Sequence, residues 1–513
     1  MIKKGQMLVF ILFLLALFLP VSAAAAPVIT FLKQQMATNT VNSSTRAYNL
    51  CVNDKYAFLN VGNQGIEVYD ISEPSDIKYL TMIQCATSDT VTNAVYHTIT
   101  SMDIKDDYLF VGYIRTSGAG NAVMNVYDVS GITAGQNILP KAYSTCTTAS
   151  ANILVRVKGD KGYIVDRGTG IRIINTSNSA LAAGGSLQEL RLWTGSDDGV
   201  LSGTVSRIYS DGNYLYFTTS GAFHVADVSD PANPSVIGSY TAITYTSSGT
   251  ATNHTTSDIS AKGDYVFVAT GTGNSSAAST NGIYVFDVSA AKASGTKANP
   301  VAPVLLQVKS VASTLTTYRR ISNVTVNGDF LYVMEQDNAL IRMYDVSDPT
   351  HLTVISSKAT SSANGYGPKD VFLKGDKIYF CDNQAGFAVY KVTQSETGDI
   401  TITKNGVLLE NLQSGDLTAS MDVVNYSADT LNVHIIMALY DDGELENIHV
   451  VPKTLFPGKS STLTSVMNIP SSQGYRLKTM LWDNTEDMNL LSVKWDTTDS
   501  TKAIGVGSQL LPN

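Results

Sequence analysis

The chain is poor in charge, histidine, cysteine and long apolar runs, and each scarcity removes a class of function. Charged residues are only 15 % of the 513 positions, and the one basic cluster beyond the first residues is Tyr318-Arg319-Arg320, so no nucleic-acid partner is expected. Six histidines (His97, His224, His254, His351, His434, His449) are scattered without metal-ligand spacing, and no metal site is expected. No G-x-S-x-G elbow or phosphate-cradling loop is present; no catalytic residue and no cofactor is assigned. The N-terminal apolar run, Met7 to Val21, is about 15 residues, short for a bilayer span. With Lys3 and Lys4 before it and Ser22-Ala-Ala-Ala-Ala26 after it, residues 1–26 read as a signal peptide. No Cys follows that run for lipid attachment, and the C-terminal SQLLPN has no hydrophobic sorting tail. Cleavage is expected to leave a secreted or cell-surface chain with no transmembrane anchor. Loss of the two lysines moves the formal charge from −9 to about −11.

What the chain has in abundance is repetition. Seven copies of one hairpin turn occur: NDKYAFL from Asn53, KDDYLFV from Lys105, KGDKGYIV from Lys158, DGNYLYF from Asp211, KGDYVFV from Lys262, NGDFLYV from Asn327 and KGDKIYF from Lys374. Polar residues and Gly at the turn suit positive backbone angles. The strand after each turn carries an aromatic (Phe58, Phe110, Tyr163, Tyr216, Phe267, Tyr332, Tyr379). The strand before it has an apolar residue at one equivalent place (Leu50, Met102, Val155, Ile208, Ile259, Val324, Val371). Period-two alternation of this kind means strands. A third strand ends in a motif such as VADVSDP at Asp227, and a fourth follows, as in PSVIGSY from Pro234. Asp227 and its equivalents are expected to cap the third strand as Asx-turns; Asn175 stands in that place in the third copy and Lys391 in the seventh.

Four-stranded units of about 50 residues indicate propeller blades. The seventh copy lacks a fourth strand, whereas Val28-Ile-Thr-Phe-Leu-Lys-Gln34 resembles fourth strands yet precedes the first copy. It is expected to add to the outer edge of the last blade and close the ring. The pattern G-D/N-Y-x-Y-V followed by G-x-x-V-x-D-V-S-D-P resembles the LVIVD-repeat family of bacterial and archaeal surface propellers, from Pro27 to about Val392. The resemblance implies a β-propeller outside the cell, transfers no catalytic residue, and assigns residues 27–394 to that domain.

Beyond Ser395 the repeat stops. Strands such as GDLTASMDVVNY from Gly415 and TLNVHIIMALYDD from Thr430, where Leu431, Val433, Ile435, Met437 and Leu439 share one face, read as a β-sandwich over residues 395–498, with a tail at 499–513. Tyr440, Asp441, Trp482 and Asp483 give it a likeness to the immunoglobulin-like accessory domains of secreted Firmicutes proteins. Trp482 and Trp495 read either as core or as a carbohydrate-stacking platform. The fold expected is therefore all-β: a seven-bladed β-propeller closed by an N-terminal outer strand, then an immunoglobulin-like β-sandwich. Of the cysteines, Cys51 and Cys381 lie within strands, while Cys85 and Cys146 follow the last strands of successive copies; free thiols and a Cys85–Cys146 bridge both stay open.

Two kinds of candidate site follow. At the start of the innermost strands stand Asn49, Ser101, Leu154, Arg207, Asp258, Asn323 and Asp370, six of them polar, expected to ring the channel mouth. They read either as a collar for an ion or small polar ligand or as groups satisfying neighbouring loop amides; Leu154 and Arg207 argue against a symmetric metal site. Arg115, Arg319 and Arg320 are candidates on the loop-rich face, which carries GYIRTSGAGN and TGTGNSSAASTN, while the opposite face is expected to be mostly tight turns. The function expected is a non-enzymatic binding or scaffold protein whose partner is an extracellular protein or a cell-envelope polysaccharide. The alternatives are a polysaccharide hydrolase or lyase with acidic residues at the channel mouth, or a structural surface-layer component.

Overall fold

The computed structural model describes residues 29–35 and 49–494, apart from 85–95, 116–121, 146–152, 167–168, 248–249, 272–280, 311–319, 337, 361–367, 383–385, 393–394, 398–399, 410–411, 426–429, 442–443, 472 and 483–489. Two compact units are present, Val28–Val392 and the chain from Thr393 onward. Both are all-β, with two short helices among the described residues.

In the first unit each of the first six sequence copies makes an antiparallel sheet of four strands in chain order, and the seventh contributes three. The fourth copy is representative: Arg207–Ser210, Tyr214–Thr219, Ala222–Asp227 and Ser235–Tyr240. The recurring aromatic pairs with the same position of the preceding strand throughout, as in Cys51 with Phe58, Arg156 with Tyr163 and Phe372 with Tyr379. All seven copies therefore share one register. Buried aromatics and β-branched residues on both faces of the middle strands pack each sheet against the next; one apolar cluster joins Leu50, Leu59 and Tyr69 of the first sheet to Tyr379, Phe387 and Val389 of the seventh. The seven first strands contact one another in order, and Pro368–Lys374 of the seventh contacts Leu50–Val52 of the first.

The tight turns need a positive φ at their first central residue, which Gly159, Gly263, Gly328 and Gly375 adopt at 55–60° and Asp106 at 51°. The first and fourth copies differ: the Asn53 side chain accepts the N–H groups of Lys55 and Tyr56, and the Asp211 side chain accepts that of Tyr214.

The third-strand caps form as expected. Asp70, Asp128, Asn175, Asp227, Asp287 and Asp345 each accept the N–H of the Ser two residues on, at 2.8–3.1 Å. Lys391 cannot do so and lies 3.5 Å from Asp376 instead. Asp227→Ala is expected to cost about 1 kcal/mol in chemical denaturation, and Asp227→Asn less than half of that.

Ile29–Gln35 pairs antiparallel with the third strand of the seventh sheet, Gly386–Val392, from Ile29 opposite Val392 to Gln35 opposite Phe387, with an irregularity between Phe31 and Lys33. Two features depart from expectation. The connections after the third strands are not all tight: helix α1 (Asn178–Ala183) and helix α2 (Ser289–Ser294) occupy two of them. Gly185–Ser186, beyond α1, pairs in parallel with the outer strand of the second sheet. On the other side a hairpin, Thr244–Ser247 with Thr250–Asn253, stands between the fourth and fifth sheets. Both helices begin where the Asx-turn has already turned the chain, and their Ala-rich sequences favour helix once started.

The second unit contains two sheets. One is built on Gly415–Asn425 paired with Ser460–Ile469, the other on Leu431–Asp441 between Glu444–Leu455 and Tyr475–Trp482. Val433, Ile435, Met437 and Leu439 share a core with Leu417, Met421, Leu463 and Leu477, so the sheets pack face to face.

Candidate functional site

Along each first strand, side chains two residues apart share a face. The candidate row Asn49 to Asp370 is the first of three such rows. The second, two residues on, is Cys51, Asp103, Arg156, Tyr209, Ser260, Thr325 and Phe372, and the third ends at the turns with Asn53, Lys105, Lys158, Asp211, Lys262, Asn327 and Lys374.

The first row meets the next sheet's main chain. Ser101 Oγ accepts the N–H of Val155 at 3.0 Å, Asp258 Oδ2 that of Val324 at 3.1 Å, and Asp370 Oδ2 that of Leu50 at 3.2 Å. The three donors are equivalent residues of the third, sixth and first sheets. Their N–H groups point away from their own ladders, so without these acceptors they would be unpaired edge donors. Asn323 donates to Asp370 Oδ1 at 3.2 Å, and Arg207 donates through Nε to the Ser257 carbonyl and through Nη1 to the Ser206 carbonyl. Asn49 accepts from the Asn60 amide at 3.3 Å.

The second row repeats the device: Asp103 Oδ2 accepts the N–H of Val157 at 2.7 Å and Ser260 Oγ that of Val326 at 3.0 Å. The third row repeats it with charge, Lys105 reaching Asp160 and Lys262 and Lys374 pairing with Asp329 and Asp54. Apart from the Asn49–Asn60 and Arg207–Ser206 bonds, which stay within their own sheets, these links run from one sheet to the following one. The amides that Ser101, Asp258 and Asp370 accept belong to neighbouring first strands, not to loops.

Electrostatics single out one group that the candidate row omitted. Arg156, on the third sheet, feels Asp103 of the second, Asp258 of the fifth and Asp370 of the seventh. Burial works against its charge, and the three carboxylates more than offset this, raising its pKa. Burial pushes Asp370 up to about 6, with Arg156 opposing, and raises Asp258 and Asp103 in the same way. Arg207 also lowers Asp258. Asp103 and Arg156 carry no shared residue type with their row, so repetition alone did not mark them; their spacing of two from Ser101 and Leu154 was the available signal.

Other candidates come apart. Arg115 ends a described strand, but its side chain and the whole of Arg319 lie outside the described residues; Arg320 is half-buried, and its carbonyl accepts the Gln336 N–H. Cys51 and Cys381 are buried within their strands, whereas Cys85, Cys146 and Trp495 lie outside the described residues. Trp482 packs on Ile436, Ala438 and Met480, on the face away from the main sandwich core. His224 is held neutral between Thr219 and Ser239, burial pushing it down to about 4. No group of three or more His, Cys, Asp or Glu that could hold a metal occurs among the described residues.

Comparison with known proteins agrees with the repeat pattern. The LVIVD repeat matches at residues 45–82, 202–242, 254–294 and 319–360. Among curated proteins none matches the chain. Of solved structures, the computationally designed Ika8 protein is 10 % identical with a TM-score of 0.41, covering 71 % of this chain and 99 % of its own. Hsv2p of Kluyveromyces lactis is 10 % identical with a TM-score of 0.38, covering 68 % of this chain and 97 % of its own. The chain thus carries four LVIVD repeats in an all-β, propeller-like fold.

Proposed function

We propose that the seven sheets close into a seven-bladed β-propeller sealed by Ile29–Gln35 and followed by an immunoglobulin-like sandwich. We further propose that the exported chain, freed of residues 1–26, is a non-catalytic binding protein. Its partner is a cell-envelope polysaccharide or an extracellular protein, held by the face bearing the long Gly/Ser/Thr/Asn-rich connections. The ring reading is supported by the cyclic order of first-strand contacts and by an arginine that feels carboxylates from three other sheets. One observation carries the binding reading: the polar groups at the start of the first strands are spent on neighbouring main chain. Recognition is then left to the variable loops on a rigid frame.

A polysaccharide hydrolase or lyase is the second reading, favoured by the raised pKa values of Asp258 and Asp370, which suit acid–base work. A glycan array run beside turnover assays on the same polysaccharides separates the two. Retention without turnover, unchanged in direction by Asp370→Asn, is the expected result. Turnover that Asp258→Asn or Asp370→Asn abolishes would replace the binding reading with the enzymatic one.

A further inference from the structure

In the first six sheets the outer strand follows the third strand through a local connection, as Asp227 leads to Ser235. The seventh sheet is different. Its third strand ends at Val392, the chain passes to another unit, and the outer place is filled by Ile29–Gln35 from the opposite end of the sequence. Everything that holds this strand belongs to the slot: the ladder with Gly386–Val392, the burial of Ile29, the packing of Leu32 on the core between the first and seventh sheets, and the Phe31 ring against Tyr390 at 5.3 Å. Strand release would leave the Gly386–Val392 edge unpaired, and such an edge recruits another strand. An identical strand from a second molecule would remake each of these contacts, so exchange has little enthalpic cost and is governed by concentration.

We propose that the outer slot of the seventh sheet is an interaction surface between copies of this chain, occupied in exchanged molecules by Ile29–Gln35 of a second copy. The register makes the partner specific. Ile29 is buried opposite Val392 and Leu32 packs with Phe387 and Val389 on the other face, with the irregularity between Phe31 and Lys33 setting the ladder, a combination that a strand of other sequence would not reproduce.

The test uses two full-length chains. One carries Thr30→Cys and the other Lys391→Cys, positions opposite each other in the ladder and both exposed. Neither chain can form this bridge within itself. The two are unfolded and refolded together at high concentration, oxidised mildly and resolved without reductant, against the unsubstituted chain as background. Exchange predicts a mixed dimer at least tenfold above either same-chain dimer. Random collision gives only about a twofold excess, and that ratio would overturn the proposal. A third chain, lacking residues 27–35 and carrying Lys391→Cys, presents the slot open. It should capture the Thr30→Cys chain without prior unfolding of the latter, and capture no greater than that by the slot-filled Lys391→Cys chain would count equally against the proposal.

Discussion

Deletion of residues 27–35 lowers the melting temperature of the first unit by about 5–10 °C in differential scanning calorimetry. The strand contributes the buried Ile29 and the partly buried Leu32, which together are worth about 4 kcal/mol by area removed from water. In a unit of this size that corresponds to a shift of the stated order. The exposed edge of Gly386–Val392 adds a second effect, association on heating, because its unpaired amides become a template. Ile29→Ala with Leu32→Ala should give more than half of the shift while leaving the ladder in place. An unchanged melting curve in the deleted chain would mean that the last sheet does not depend on its distant fourth strand.

The second large effect is at Asp370, where one carboxylate joins three sheets. Its Oδ2 accepts the Leu50 N–H of the first, and its Oδ1 accepts the Asn323 amide of the sixth and its neighbour Val371 N–H within the seventh. Burial raises its pKa to about 6 in the folded chain from 3.8. The folded state therefore binds the proton more tightly than the unfolded state. The stability contributed by this group is fully present below about pH 4 and is lost as pH rises through about 6, by at most about 3 kcal/mol. His224 and His254 act in the opposite sense: burial pushes both down to about 4, so their contribution is present above pH 6.5 and lost as pH falls. Comparison of the wild-type chain with Asp370→Asn removes the histidine effect, which the two share. Chemical denaturation at pH 5, 6, 7 and 8 is expected to show the wild type gaining on the variant as pH falls from 7 to 5. Parallel profiles would refute the assignment. Asp370→Ala should be destabilised by about 3–5 kcal/mol at every pH, because it strands the Leu50 N–H and takes one counter-charge from Arg156.

The sequence was most informative where a signal is local. Turn residues, the aromatic after each turn and the Asp or Asn at the end of the first six third strands act within a few positions of themselves, and each recurs in the structure at the expected register. The outer strand at Ile29–Gln35 was readable for a related reason: a missing piece at one end matched a surplus piece at the other. The charges around Arg156 were not readable, because its partners lie on three other sheets and their convergence depends on the arrangement of all the first strands. Likewise Ser101, Asp258 and Asp370 were visible as a polar row, but the identity of their partners depends on how far each first strand is offset from the next. That offset belongs to the packing of whole sheets, and it brings Ser101, Asp258 and Asp370 within hydrogen-bond distance of the following sheet's main chain. The two short helices, in NTSNSALAAGG and DVSAAKASG, had an Ala-rich local signal that the expectation of tight turns overrode.

Hydrogen exchange at the backbone amides of Leu50, Val155 and Val324 bears most directly on the claim that the axial polar groups serve the frame and not a ligand. Each of these amides faces away from its own ladder and is held by a side chain of the preceding sheet. Exchange as slow as that of the middle strands, accelerated at Val155 by Ser101→Ala and at Leu50 by Asp370→Ala, is the result predicted. Exchange as fast as that of the solvent-facing amides of the outer strands would contradict it and return those side chains to the list of ligand-binding candidates.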